Sequence, residues 1–264
     1  LMELTAAGPG WMFPEQLLTR PDAGVSLHPF PWLRPPLTPR PPQRPPFVPP
    51  LSRPAALALV HDWTASDSLR KHMLAVEAAM RAYAPRFGGD VEAWGLAGLL
   101  HDFDYERFPN AAQAADAEHP AEGVRYLRSI GLGEEICEAI LGHAHYTGVP
   151  RTTDMARALF ACDELCGLLT ACALVKPSKA IADVDVAGVR RKLKDKAFAR
   201  GVNREDITSG ADALGVSLDD HIAFVLEALR GVAPALGLAG VGHADASSGA
   251  ASNAAGSTPL AGGA

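Results

Sequence analysis

Cationic charge is in short supply in this 264-residue chain: 24 Lys and Arg stand against 30 Asp and Glu, for a formal charge of −6 at pH 7. A surface that neutralises a phosphate backbone needs an excess of cations, so no nucleic acid polymer is expected as a partner. A small anionic substrate would depend on cations placed locally. Long apolar runs are missing too. None approaches the roughly 18 residues of a membrane span, and the first residues lack the charged-then-apolar pattern of a secretory signal. No membrane partner and a cytoplasmic location are the expectation. Cysteine is sparse: Cys137, Cys162, Cys166 and Cys172 form no C-x-x-C pair and fall within helical patterns. They are expected as buried thiols rather than disulfides or a zinc ribbon. Alternating apolar and polar segments and internal repeats are also lacking, which excludes a sheet-built fold and a solenoid.

Proline is abundant but confined. Fifteen of the 22 prolines precede residue 55, twelve of them crowded into "PFPWLRPPLTPRPPQRPPFVPPLSRP", where missing amide donors and fixed φ favour polyproline II. Residues 1–53 therefore read as a disordered Pro-rich segment, a spacer before the folded part. From residue 239 to 264 the sequence "AGVGHADASSGAASNAAGSTPLAGGA" has neither aromatics nor Lys or Arg. It buries too little surface to offset its ordering entropy and reads as a disordered tail.

Residues 54–238 read as helix after helix, and the expected fold is a single all-α domain. "SDSLRKHMLAVEAAMRAYA" carries Leu69, His72, Met73, Val76, Met80 and Tyr83 at i, i+3, i+4 spacing, with Ser66 placed to cap it. "DVEAWGLAGLLHD" follows behind a capping Asp90, then "EHPAEGVRYLRSIG" closing at Gly131, then "GEEICEAILGHAH". The longest helix starts near Thr153 and stops before Pro177, and three more complete the set.

Polar side chains sit on the apolar stripes of these helices. His72 shares its face with Leu69, Met73 and Val76; Asp163 shares one with Leu159, Phe160, Gly167 and Thr170; His143 falls three and seven residues after Ile140 and Ile136. A lone core histidine or aspartate usually satisfies a backbone group. Here His72, His101, Asp102, His119, His143 and Asp163 recur over five successive segments, and imidazole with carboxylate is the ligand mix that suits iron, manganese or zinc. A metal centre explains all of them together.

The order His72, then His101 with Asp102, then Asp163 on a long helix resembles the HD-domain superfamily of metal-dependent phosphohydrolases. "EHPAEGVRYL" is similar to that family's His-Pro-x-x-Gly segment, and "AILGHAH" to a further histidine-bearing helix. The resemblance implies one or two divalent ions (Mn, Fe, Zn, Ni or Co). His72, His101, Asp102 and Asp163 would hold the first, and His119 and His143 a second with Asp102 bridging. It also implies hydrolysis of a phosphomonoester or phosphodiester, with a nucleotide-like compound or phosphorylated metabolite as substrate. Lys71, Arg151, Lys176 and Lys179 flank the ligand-bearing segments and are candidate phosphate clamps, with Asp104 as the acid for the leaving group. Two other expectations stay open, a di-iron oxygenase on the same ligand types and a non-catalytic signalling or interaction module. Members acting on cyclic dinucleotides carry Ile-Gly-Lys after the His-Asp pair and His-His-Glu before Gly-Tyr-Pro. Here "HDFDYER" and "HAHYTGVPR" stand instead, so that substrate is not expected.

A second His-Asp dipeptide, His61 with Asp62, competes with the first. Its only upstream partner would be His28, in the Pro-rich segment where no helix forms, so Asp62 or Thr64 reads instead as a turn or cap residue before the His72 helix. His145 follows His143 by two residues and points about 200° away on a regular helix, though both could serve if the helix ends there; His143 is preferred because "AI-x-x-H" is the spacing the resemblance supports. His221 and His243 read as surface and tail.

Overall fold

Helix starts follow the capping chemistry of the sequence. The computed structural model describes residues 51–240, so the Pro-rich segment, the low-complexity tail and His243 lie outside the described residues apart from their inner edges. Within that range ten α-helices form: α1 (Arg53–Trp63), α2 (Asp67–Tyr83), α3 (Val91–Leu100), α4 (Ala121–Ser129), α5 (Glu134–His143), α6 (Asp154–Leu174), α7 (Val186–Lys194), α8 (Arg204–Ala213), α9 (Leu218–Gly231) and the short α10 (Ala233–Leu236). Ser66, Asp90 and Thr153 cap α2, α3 and α6 by accepting from the amides of Leu69, Ala93 and Ala156. Each such cap stabilises its helix by about 1 kcal/mol. No β-strand forms among the described residues, and a single isolated bridge joins Ala180 to Ala239. The fold is all-α, as the periodicity implies.

The longest helix is the centre of the molecule. α6 is apolar around most of its circumference and packs against α2, α5 and α8, so Leu159, Leu165, Leu168 and Leu169 are all fully buried. The four cysteines are free and buried. No described helix is long and apolar enough to cross a membrane.

α2 and α3 cross so closely that the contact needs a missing side chain. A Cβ on Gly98 would stand 2.8 Å from both the Glu77 amide nitrogen and the Val76 carbonyl oxygen, backbone atoms that cannot step aside. Gly98→Ala is therefore expected to destabilise the fold by about 1–3 kcal/mol, the usual cost of overpacking, despite alanine's better helix propensity. Chemical denaturation of the two proteins checks this, and an unchanged or raised midpoint would contradict it.

Two details depart from the sequence reading. Arg53, assigned by composition to the Pro-rich segment, opens α1 and donates from Nε and Nη2 to the buried Glu77 at 2.6 and 2.9 Å, which ties α1 to α2. His221, read as a surface residue, is fully buried: Nε2 donates to the Ala161 carbonyl (2.9 Å) and Nδ1 accepts from the Tyr83 hydroxyl (2.7 Å). It joins α9 to α6 and α2. Burial lowers its pKa, against a smaller opposing pull from the Ala161 carbonyl. A histidine whose folded pKa is depressed contributes stability in full above its unfolded value of about 6.5, and that contribution is lost as pH falls below it. The unfolding midpoint should drop on acidification from pH 7 to 5, and His221→Gln should show a shallower drop because glutamine does not charge. Parallel slopes for the two proteins would rule out this role.

Candidate metal centre

Three histidines are aimed by the partners of their Nδ1 atoms. His101 caps the end of α3 and donates from Nδ1 to the Gly98 carbonyl at 2.8 Å; His143 ends α5 and donates from Nδ1 to the Ile140 carbonyl. His119 lies just before α4 and donates from Nδ1 to Asp104 Oδ1 at 2.7 Å. With Nδ1 carrying the proton in each ring, every Nε2 presents a bare lone pair.

All three lone pairs face one carboxylate. Asp102, in the turn after α3, places Oδ1 3.3 Å from His119 Nε2 and 3.5 Å from His143 Nε2, and Oδ2 3.4 Å from His101 Nε2. His72, on α2, sits with Nε2 2.9 Å from Asp163 Oδ1 on α6, 3.3 Å from His101 Nε2 and 3.9 Å from Asp102 Oδ2. Asp163 Oδ1 is also 3.4 Å from His101 Nε2. His72, His101 and Asp102 form one group that could hold a metal, and Asp102, His119 and His143 form another, each with its ligand atoms within 4.8 Å of one another. Asp102 is common to both.

The donor chemistry fits a cation. Lone pair facing lone pair is repulsive unless a proton or a metal ion lies between, and these rings have already committed their protons to Nδ1. The electrostatics point the same way. Burial alone would lower the His101 pKa, yet Asp102 and Asp163 outweigh it and hold the ring well above the usual histidine range; His143 is raised by Asp102 against the same burial. Burial would raise Asp102 and Asp163, but His101 and its fellow imidazoles hold both carboxyls well below the usual range. The pocket thus demands positive charge between its histidines and its carboxylates.

A second tier of contacts fixes the first. Asp104, expected as an acid for a leaving group, is instead buried, and its other oxygen accepts from the Gly123 amide at 2.7 Å. It is occupied in holding His119. The glycine of the His-Pro-x-x-Gly segment finds its physical reason here, since a Cβ on Gly123 would stand 2.5 Å from Asp104 Cγ. Asn110 and Tyr146 both donate to the His119 carbonyl. The rest of "HDFDYER" closes the back of the turn: Glu106 accepts from the amides of Ala65 and Ser66, and Arg107 donates to Asp62. The competing His61–Asp62 pair lies on that outer side, away from the cluster. Thr64 caps the end of α1 and donates to the Phe103 carbonyl, rather than introducing α2.

The cluster opens into a cleft of about 710 Å³ lined by His72, Asp102, His119, His143 and Asp163 on one side. The four expected phosphate clamps are not among its lining residues. Lys71 pairs with Asp67 at 2.7 Å, Arg151 donates to the Gly142 carbonyl and stacks 3.8 Å over the Phe160 ring, and Lys176 and Lys179 follow the far end of α6. Lys71 is the neighbour of His72 on α2 and so points about 100° away from it, whereas Arg151, Lys176 and Lys179 lie outside the helices that carry His143 and Asp163. In their place stand Tyr105, Tyr146, Phe160, Glu164, Asn203 and Asp206, with His145 paired to Asp206 at 2.9 Å. Burial, with Asp163 beside it, pushes the Glu164 carboxyl up to about 7. The signal for Glu164 was present in the sequence, since Phe160, Asp163, Glu164 and Gly167 keep i, i+3, i+4, i+7 spacing. Asn203 and Asp206 reach the cleft only through the packing of α8 on α6.

The HD domain family model matches residues 69–168, a span that contains His72, His101, Asp102, His119, His143 and Asp163. No curated protein and no solved structure matches the chain. The matched span takes in the residues that the helices gather around Asp102, so residues 69–168 of the chain form an HD domain.

Proposed function

We propose that this protein is a metal-dependent phosphohydrolase that cleaves a phosphomonoester or phosphodiester of a small molecule. The observation that carries the reading is Asp102, whose two oxygens face two different sets of imidazoles and so mark out two adjoining cation positions. Divalent ions held there would supply Lewis acidity, lowering the pKa of a water toward neutrality and offsetting charge on a phosphoryl oxygen. The chain's own part is positional. His72 and Asp163 close one end, and His119 and His143 close the other. Asp104 and the carbonyls of Gly98 and Ile140 keep each ring from rotating, so the donors are in place before a substrate arrives. The polar wall formed by Tyr105, Tyr146 and His145 leaves room for a phosphate ester beside the cluster.

The test uses full-length protein stripped of metal and reloaded with Mn²⁺ under anaerobic conditions, assayed on a panel of phosphomonoesters and phosphodiesters. Hydrolysis without O₂ is expected, since a Lewis acid suffices and no change of valence is needed. Turnover seen only with iron and with O₂ consumed would replace the hydrolase reading with an oxygenase one.

A further inference from the structure

From the far wall of the cleft we infer that the substrate carries one phosphoryl group and, a short chain away, an ammonium group that Glu164 and Asp206 select. This rests on the phosphohydrolase reading, in which the phosphoryl end lies at the His/Asp cluster.

Three observations converge on it. First, none of the residues lining the cleft is Lys or Arg, so beyond the cluster nothing among them offsets a second or third phosphate. A nucleoside polyphosphate would place extra anions against carboxylates, a juxtaposition that specificity is ordinarily built to penalise. Second, the backbone feature best suited to an anion is already closed. The N-terminus of α8 reaches this wall, but Asn203 Oδ1 accepts from the amides of Glu205 and Asp206, and the Asn203 amide itself donates to Glu164 Oε2 at 3.1 Å. Its first turn carries Glu205 and Asp206, so the dipole is matched internally rather than by a ligand. Third, unpaired acceptors remain on two residues that line the cleft. Glu164 has no donor at its second oxygen among the described residues, and Asp206 keeps Oδ2 free while Oδ1 holds His145. Gly167, one turn beyond Asp163 on the same face of α6, has only Val202 near a would-be Cβ, at 3.9 Å. Asp163, Glu164 and Gly167 all line the cleft, so the opening at Gly167 leaves room for a short chain beside the cluster and Glu164. An ammonium, with three donors and a compact charge, can pair with these acceptors, where a neutral tail would leave them without a donor.

Matched ligands test this. O-phosphoethanolamine and propyl phosphate differ by an ammonium in place of a methyl group, as do 3-aminopropylphosphonate and butylphosphonate, whose C–P bond resists hydrolysis. On Mn²⁺-loaded full-length protein the ammonium ester should be turned over with a kcat/KM at least about 10-fold higher, carried by KM. The aminophosphonate should bind at least about 10-fold tighter by calorimetry. Both ratios should collapse toward one in Glu164→Gln, and fall in Asp206→Asn should the first variant not fold. Ammonium-bearing ligands that bind no better than their neutral partners, or ATP outcompeting both, would overturn the inference and leave the hydrolase reading standing. If the aminophosphonate is preferred while neither ester is cleaved, the ammonium preference holds and the hydrolase reading falls.

Discussion

Asp102→Ala is expected to empty both halves of the centre and to lower phosphoesterase turnover by about 100-fold or more. Loss of an outer partner that only orients a ligand commonly costs about 10–100-fold in metal affinity or activity, and Asp102 stands one layer further in. Its Oδ1 faces His119 and His143 and its Oδ2 faces His101, so no neighbouring carboxylate can take over both directions. Asp163 reaches only His72 and His101. The control is Asp62→Ala, which removes the other His-Asp carboxylate. Asp62 sits at the end of α1 on the outer side of the turn and pairs with the exposed Arg107, so its loss should leave metal content within error and turnover within about twofold. Elemental analysis of the two purified variants, followed by assay at matched metal concentration, decides the matter. Equal losses in both would mean that Asp102 is not the shared ligand.

Much of this cluster was legible in the sequence, because metal-capable side chains on helices betray themselves as polar residues on apolar stripes. His72 among Leu69, Met73 and Val76, and Asp163 among Leu159 and Phe160, needed only the 3.6-residue period. What the sequence concealed depends on contacts between segments. Asp104 looks like a free turn carboxylate beside Asp102; only the fold shows that the chain returns fifteen residues later and sets His119 against it. The cations failed for the converse reason. Lys71 is the sequence neighbour of His72 but lies on another face of α2, where Asp67 one turn earlier holds it. His221 was a missed signal rather than a hidden one, since Val225 and Leu229 follow it at i+4 and i+8 and place it on the buried stripe of α9. Glu164 was visible on the Asp163 face, but its significance came only with Asn203 and Asp206, which a separate helix delivers across the cleft.

His119→Ala should convert a two-ion protein into a one-ion protein. Among the described residues the group that could hold a second ion has two imidazoles, His119 and His143, together with Asp102 Oδ1, and removing one leaves a single nitrogen and a shared carboxylate oxygen. The first position keeps His72, His101, Asp102 and Asp163 and should fill as before. Metal content per chain is therefore expected to fall from about two to about one, with turnover reduced by about 10-fold to 100-fold, as one of the two charge-neutralising groups is lost. Asp104→Asn provides an independent check on the same position. Asparagine can still accept from His119 Nδ1 through its oxygen, but it brings no charge, and its amide group cannot accept from the Gly123 amide as Oδ2 does. The His119 ring should then be held less firmly and its Nε2 made less basic, so that second-ion affinity drops while the first ion stays bound. The two variants should order as wild type, then Asp104→Asn, then His119→Ala in second-ion affinity, measured by competition with a chelator. If His119→Ala retains the parent's metal content and turnover, the centre is mononuclear, and His72, His101, Asp102 and Asp163 are sufficient for it.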